Sequence, residues 1–326
     1  MQRSIPMFFL LLGLLTGCVQ PLPSPTASPT ENSVPRSSPG VPTLERDETP
    51  AWVACRIVDG AEEGELLLAE LEHELAPHED SRHDGRSVYR LSLNKVRCYE
   101  EPGPDGNTLA VMTANGGVCV YLDGEPAQAS DLKDGMNVEI SFNGTVLESF
   151  PAQFGEAYEL HAWSIGSEQC PGGSYYDLCG LYLQVLDDLW RKDPGLNSNI
   201  AIAGLDLSEA PGELLESEKE ALSWRFGEIH GVEAVRGSYE ELAAEGYFTP
   251  VSDDPGYPLY QWENGCLFSI TAAGGHEEEA YSLPTLFFDA EKWCSPLGAY
   301  YFKDCFAAWP EMGTWSGYTI GGEAIS

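Results

Sequence analysis

Thirteen residues from Glu72 to Asp84, EHELAPHEDSRHD, hold three of the chain's six histidines, His73, His78 and His83, among carboxylates. Imidazole nitrogen with carboxylate oxygen suits zinc or a hard divalent cation, so these three histidines are the candidate metal ligands. The His73–His78 interval is five residues, where a helical zinc-protease motif needs four, and Pro77 lies inside it. The two rings therefore do not share a helical face. The plainer expectation is a solvated acidic loop between strands.

Nucleophilic chemistry finds less support. Ser92 with Lys95 and Ser130 with Lys133 have the Ser-x-x-Lys interval, but one pair falls on an expected strand and the other in a turn, and neither places lysine over serine. No Gly-x-Ser-x-Gly elbow and no phosphate-binding glycine loop occurs. No catalytic residue is assigned and no cofactor is expected. Nine cysteines are present. Setting Cys18 aside leaves eight, an even number that suits up to four disulfides in an exported chain. Cys170 and Cys179, which flank Pro171-Gly172-Gly173, are the candidate pair. Three of the eight precede residue 168 and five follow it, so complete pairing requires a bridge between the two halves. Cys119 and Cys266 sit within apolar strands and also read as small packed hydrophobes.

Cys18 has its own setting. Arg3 precedes an apolar run from Met7 to Leu15, and Leu15-Thr16-Gly17-Cys18 follows. The run is too short to span a bilayer and reads as a targeting segment. These four residues resemble the lipobox of bacterial lipoproteins, which implies removal of residues 1–17 and acylation of Cys18, leaving 309 residues with net charge −36. Residues 19–50 contain eight Pro, five Ser and four Thr. Such a tract cannot offset its own ordering entropy and is expected to be an extended tether reaching on the order of 100 Å.

The elements that must position any site lie beyond residue 50. The chain has 326 residues, 43% of them hydrophobic, with Lys+Arg 17 against Asp+Glu 52. That composition demands a packed core, and a net charge of −35 excludes nucleic acid as a partner. Residues 87–93, 118–122 and 137–142 alternate or run apolar with β-branched and aromatic enrichment, and Asp123-Gly124, Asp134-Gly135 and Asn143-Gly144 mark turns between strands. An all-β, antiparallel barrel-like domain is therefore expected over 51–168. The stretch 130–153, SDLKDGMNVEISFNGTVLESFPAQ, resembles a segment of small OB-like barrel domains in uncharacterised Gram-positive lipoproteins, which implies an OB-like barrel. A face of such barrels often binds polymers.

After residue 169 the period becomes helical. Tyr182, Val185, Leu186 and Leu189 form one stripe, and capping boxes Ser217/Glu220 and Ser238/Glu241 open two more helices, closed by Gly231 and Gly246. Residues 200–203 read as a strand, 259–262 and 266–270 as a hairpin, and 285–288, 297–302 and 318–320 as further strands. An α+β domain with helices packed on an antiparallel sheet is expected over 169–326. The tail, with FDAEKW at 288–293, GAYYF at 298–302 and GEAIS at 322–326, is similar to the C-terminal portion of a group of uncharacterised bacterial lipoproteins. The aromatic residues from Trp262 to Tyr318 are expected mainly in the core.

Taken together, the sequence predicts a lipoprotein held by Cys18 on the extracytoplasmic face of the cell membrane, non-catalytic, binding a wall component or a protein partner. The alternative is an extracellular hydrolase or metal-dependent enzyme.

Overall fold

The computed structural model describes residues 49–71, 88–93, 98–102, 108–112, 117–167, 178–252, 259–275, 285–308 and 317–326. Cys18, Cys170, His73, His78 and His83 lie outside the described residues. Up to residue 163 the chain forms β1 (Ala51–Asp59), β2 (Glu65–Glu70), β3 (Val88–Ser92), β4 (Cys98–Pro102), β5 (Thr108–Met112), β6 (Cys119–Leu122), β7 (Glu125–Ala127), β8 (Asn137–Phe142), β9 (Val146–Leu147), β10 (Ala152–Phe154) and β11 (Ala157–Trp163). Beyond it come α1 (Cys179–Arg191), β12 (Ile202–Asp206), α2 (Glu216–His230), β13 (Glu233–Arg236), α3 (Tyr239–Ala244), β14 (Thr249–Pro250), β15 (Tyr260–Gln261), β16 (Gly265–Ala272), β17 (Thr285–Ser295), β18 (Gly298–Ala308) and β19 (Gly322–Ile325).

The turn and alternation signals place β3, β6 and β8 where expected, yet they do not close a barrel. Nine strands form one open sheet in the order β7-β6-β11-β8-β1-β2-β3-β10-β9. Two of its joins, β11 with β6 and β10 with β3, are parallel. This corrects the expected antiparallel OB-like barrel. The terminal strands explain it: β9 has two residues and β10 and β7 three each, too few for a closing ladder. The sheet still curls. Phe142 on β8 and Phe154 on β10 are four strands apart along the sheet, roughly 19 Å at ~4.8 Å per step, but their ring centroids are 5.0 Å apart. The concave face encloses Ile57, Leu66, Leu68, Tyr89, Ile140 and Leu160.

The second sheet has the order β13-β12-β16-β17-β18-β19. Strand β12, next to the edge strand β13, runs parallel to both β13 and β16, so the sheet is mixed, not antiparallel. The parallel join follows from the order β12–α2–β13, because a helical crossover returns the chain in the same direction. Nor do the helices form a layer on one sheet. Val58, Leu67, Ala69 and Val88 of the first sheet share a single buried cluster with Leu186 and Leu189 of α1, Leu222 and Phe226 of α2, and Phe268, Phe288 and Phe302 of the second sheet. The helices are held between two sheets in a mostly β fold, which corrects the expected α+β arrangement. Strands β1 and β2 are accordingly buried on both faces, and residues 47–326 form one compact unit.

Polar side chains tie the layers. The Arg56 guanidinium on β1 donates to Glu218 of α2, and its Nε donates to Asn137 Oδ1 at 3.0 Å. Glu218 also accepts the Leu215 N–H at 2.8 Å and the Cys179 thiol at 3.7 Å. Ser217 Oγ donates to the Glu70 carbonyl at 2.7 Å. The expected Ser217/Glu220 box is therefore displaced by two residues: Leu215 is the N-cap residue of α2, its side chain making no cap hydrogen bond, and Glu218 accepts its N–H. The α3 box forms as expected, with Ser238 N–H donating to Glu241 at 2.8 Å and Glu241 N–H to Ser238 Oγ at 3.3 Å.

The expected 259–270 hairpin does not form. β15 pairs with β14, while β16 is taken between β12 and β17. Cys266, Leu267, Phe268 and Ile270 are buried, and a strand apolar on both faces is more stable inside a sheet than at the edge of a two-stranded ribbon. Among the C-terminal aromatics, Trp262, Phe268, Phe288, Tyr300 and Phe302 are buried as expected. Trp309 and Trp315 lie outside the described residues.

Candidate functional site

Helix α2 carries Ala221, Leu222 and Phe226 inward, which turns Glu220, Trp224 and Glu228 outward at four-residue intervals. The helix approaches β13 closely at Gly227, where an added Cβ would lie 2.8 Å from the Val232 carbonyl oxygen and 3.1 Å from Ala234 Cβ. Gly231, at φ +67°, then reverses the chain. A groove of about 740 Å³ opens between α2, β13 and the segment carrying Phe150. Trp224 and Phe150, the latter 59% exposed, form its apolar walls. The Arg90 guanidinium lies over the Trp224 ring, 5.5 Å from its centroid. Glu220, Glu228 and Glu233 supply negative charge around it.

Arg236 joins this groove to a second hollow of about 290 Å³ at the C-terminal ends of the parallel strands β12 and β13. Ligand crevices of open sheets with parallel strands sit at such ends. Asp206, Ser208, Lys219, Ser238 and Glu241 also line it. Glu216 accepts from Lys219 Nζ at 2.9 Å and from Arg236 Nη1 at 3.1 Å. The Lys219 hydrogen bond, followed by that of Arg236, holds the Glu216 carboxyl below its ordinary range. Two cations converge here on one carboxylate, so the hollow is polar where the groove is aromatic.

A separate constellation lies on the face of the first sheet turned away from its concave core. Cross-strand register sets His161 opposite both Tyr121 and Glu139. The His161 ring stacks on Tyr121 at 4.7 Å and meets Trp52 edge-on at 5.5 Å, and its Nε2 is 3.2 Å from Glu159 Oε2. Burial pushes the Glu139 carboxyl up to about 7. His230, by contrast, is a core ring: it stacks on Trp190 at 4.1 Å, and burial lowers its pKa against the opposing pull of Asp187.

Of the candidate lipidation, disulfide and metal-site residues read from sequence, only Cys179 falls among those described; it is buried at the start of α1, in hydrogen-bond reach of Glu218. The candidate metal ligands, the lipidation site and Cys170 do not. Among the described residues no group of three or more His, Cys, Asp or Glu is arranged to hold a metal ion. Sequence reasoning missed Trp224, Phe150 and Arg236. A usable signal existed for Trp224: it shares the polar stripe of its helix with Glu220 and Glu228, where the core covers it only in part.

No family model, curated protein or solved structure matches this chain.

Proposed function

We propose that this chain is a lipoprotein anchored by acylated Cys18 to the extracytoplasmic face of the cell membrane, where its folded unit captures a wall component in the groove between α2 and β13 without performing catalysis. The observation that carries the reading is a groove lined by both Trp224 and Phe150 together with Arg236 and the three carboxylates of Glu220, Glu228 and Glu233. Aromatic faces stack on apolar faces of sugar rings while the carboxylates accept hydroxyl or ammonium hydrogens. A neutral or amino-bearing glycan satisfies both, and a phosphate polymer is repelled by net charge −35. The apolar segment before Cys18 and the Pro/Ser/Thr tract after it support the anchoring. Among the described residues no helix is long and apolar enough to cross a membrane.

Thermal unfolding of the mature chain with soluble peptidoglycan fragments tests the groove. Fragments at about 100 times their Kd are expected to raise Tm by roughly 5–10 °C. Trp224→Ala and, independently, Phe150→Ala should abolish that shift; a full shift in both variants would sink the assignment. Phe150 is the cleaner probe because its exposure leaves little packing to lose. Anchoring is tested separately. Cys18→Ala should move the protein from the membrane fraction to the soluble fraction, and its retention in membranes after a carbonate wash would overturn the lipoprotein reading.

A second reading, a hydrolase, draws on Glu139 and His161, cross-strand partners with one carboxyl pushed up to about 7. A general acid needs a pKa near the working pH. Turnover of peptidoglycan fragments that disappears in Glu139→Gln would favour this reading over capture.

A further inference from the structure

The chain reverses at Gly231, so α2 and β13 lie side by side in opposite directions. Gly227 faces Val232 and Ala234, and Glu216, at the other end of the helix, meets Arg236. The groove and the polar hollow, which share Arg236, are therefore successive stretches of one furrow. Along it α2 carries Glu216, Glu220, Trp224 and Glu228 at four-residue intervals, a single stripe of the helix. At 1.5 Å per residue, Glu216 and Trp224 are about 12 Å apart along the helix axis. One sugar ring does not cover that span, so a ligand that reaches both ends has at least two linked units.

Charge changes along this furrow. Its aromatic end carries Glu220, Glu228 and Glu233, whereas its other end holds Lys219 and Arg236. Both of those cations pair with Glu216. The two remaining carboxylates of the hollow are engaged locally: Asp206 Oδ1 accepts the Ser208 N–H at 3.1 Å and its Oγ–H at 2.6 Å, and Glu241 accepts the Ser238 N–H at 2.8 Å. Glu216 differs from them. Its side chain is 75% exposed, against 22% for Lys219 and 35% for Arg236. Exposed ion pairs contribute little to stability, so this carboxylate can be exchanged for another without loss to the fold. The Arg236 guanidinium also donates to the Glu216 backbone carbonyl at 3.4 Å, a bond that does not depend on the Glu216 side chain.

We propose that the hollow receives a carboxylate of the same ligand whose sugar ring stacks in the groove, and that Glu216 is the internal competitor this carboxylate displaces. The proposal rests on the glycan reading above and narrows it. The ligand is zwitterionic: an amino-bearing glycan fragment with its ammonium at the aromatic end and a free carboxylate about 12 Å away. Opposite charges at its two ends match the change of sign along the furrow, and a ligand without net charge is not repelled by the chain's −35. On Lys219 and Arg236 one carboxylate takes the place of another, which conserves the charge-assisted hydrogen bonds. Glu216 then passes into water and regains its side-chain freedom. Affinity thus comes from the groove, and the hollow selects for the acid.

Isothermal titration of the mature chain compares soluble peptidoglycan fragments bearing free carboxylates with the same fragments converted to methylamides. The wild type is expected to favour the acid form by about threefold, and Glu216→Gln, which removes the competitor, by about tenfold or more. Affinity for the methylamide form should be the same in both proteins. Lys219→Met, which keeps the aliphatic stem without the charge, should bring the ratio towards one. Equal affinity for the two forms in both the wild type and Glu216→Gln would overturn the proposal and leave the groove reading intact. So would an equal gain for both forms in Glu216→Gln, which a general change of charge produces. Binding of neither form to any of the three proteins would overturn the groove reading and the proposal with it.

Discussion

Arg56→Ala is expected to destabilise the folded unit by about 3–5 kcal/mol, because removing one partner leaves the other charge buried and uncompensated. The Arg56 side chain is 9% exposed and that of Glu218 only 1%. Glu218 is also where β1, α1 and the first turn of α2 meet, through Arg56, the Cys179 thiol and the Leu215 N–H. Losing the cation therefore loosens the seam between the two sheets as well as the cap of α2. The double variant Arg56→Met/Glu218→Met should recover much of that loss, since well-packed apolar pairs often match buried ion pairs in stability. Urea denaturation of the three proteins provides the check. A single-variant loss below about 1 kcal/mol would mean the pair is not what holds the layers together.

Glu139→Gln is expected to stabilise the protein at neutral pH by up to about 3 kcal/mol, the free-energy equivalent of raising a carboxyl from 4.5 to about 7. The sign follows from proton uptake. Between these two values the folded chain holds a proton that the unfolded chain has released, so raising pH favours unfolding. Wild-type stability should therefore fall from roughly pH 4.5 to pH 7 and level off above. Asp134 adds to the same slope: burial, opposed by its hydrogen bond from the Ala61 N–H, leaves it at about 6. Urea midpoints at pH 5 and pH 7.5 should differ less in the variant than in the wild type. An equal difference in both would show that Glu139 ionises in the folded state as freely as in the unfolded chain.

The two capping boxes show where sequence reasoning succeeds and where it stops. At α3 the donors and acceptors of the cap lie within four residues of one another, and Ser238 and Glu241 bond as their spacing requires. At α2 the same spacing points to Ser217, but Ser217 Oγ is drawn to a carbonyl 147 residues away, and Glu218 closes the cap instead. The hairpin misreading has the same origin. Glu263-Asn264-Gly265 carries a turn signal, yet the apolar side chains of β16 are buried only if β12 and β17 flank it. The groove was harder still to read, because Phe150, Trp224 and Arg236 come from three separate elements, and only for Trp224 did helical spacing hint at exposure.

Composition and short-range pattern by themselves determined the net negative charge, the stripe of α1, the α3 cap and the strands β3, β6 and β8. These depend on neighbours a few residues apart, whose side chains meet whatever the rest of the chain does. Tertiary structure alone decided the strand order, the open curled sheet in place of a barrel, and the parallel join around α2. It also decided the Arg56–Glu218 seam and the aromatic groove. Each of these is a choice among many chain segments of similar local preference, settled by which packing buries both faces of β1, β2 and β16 at once.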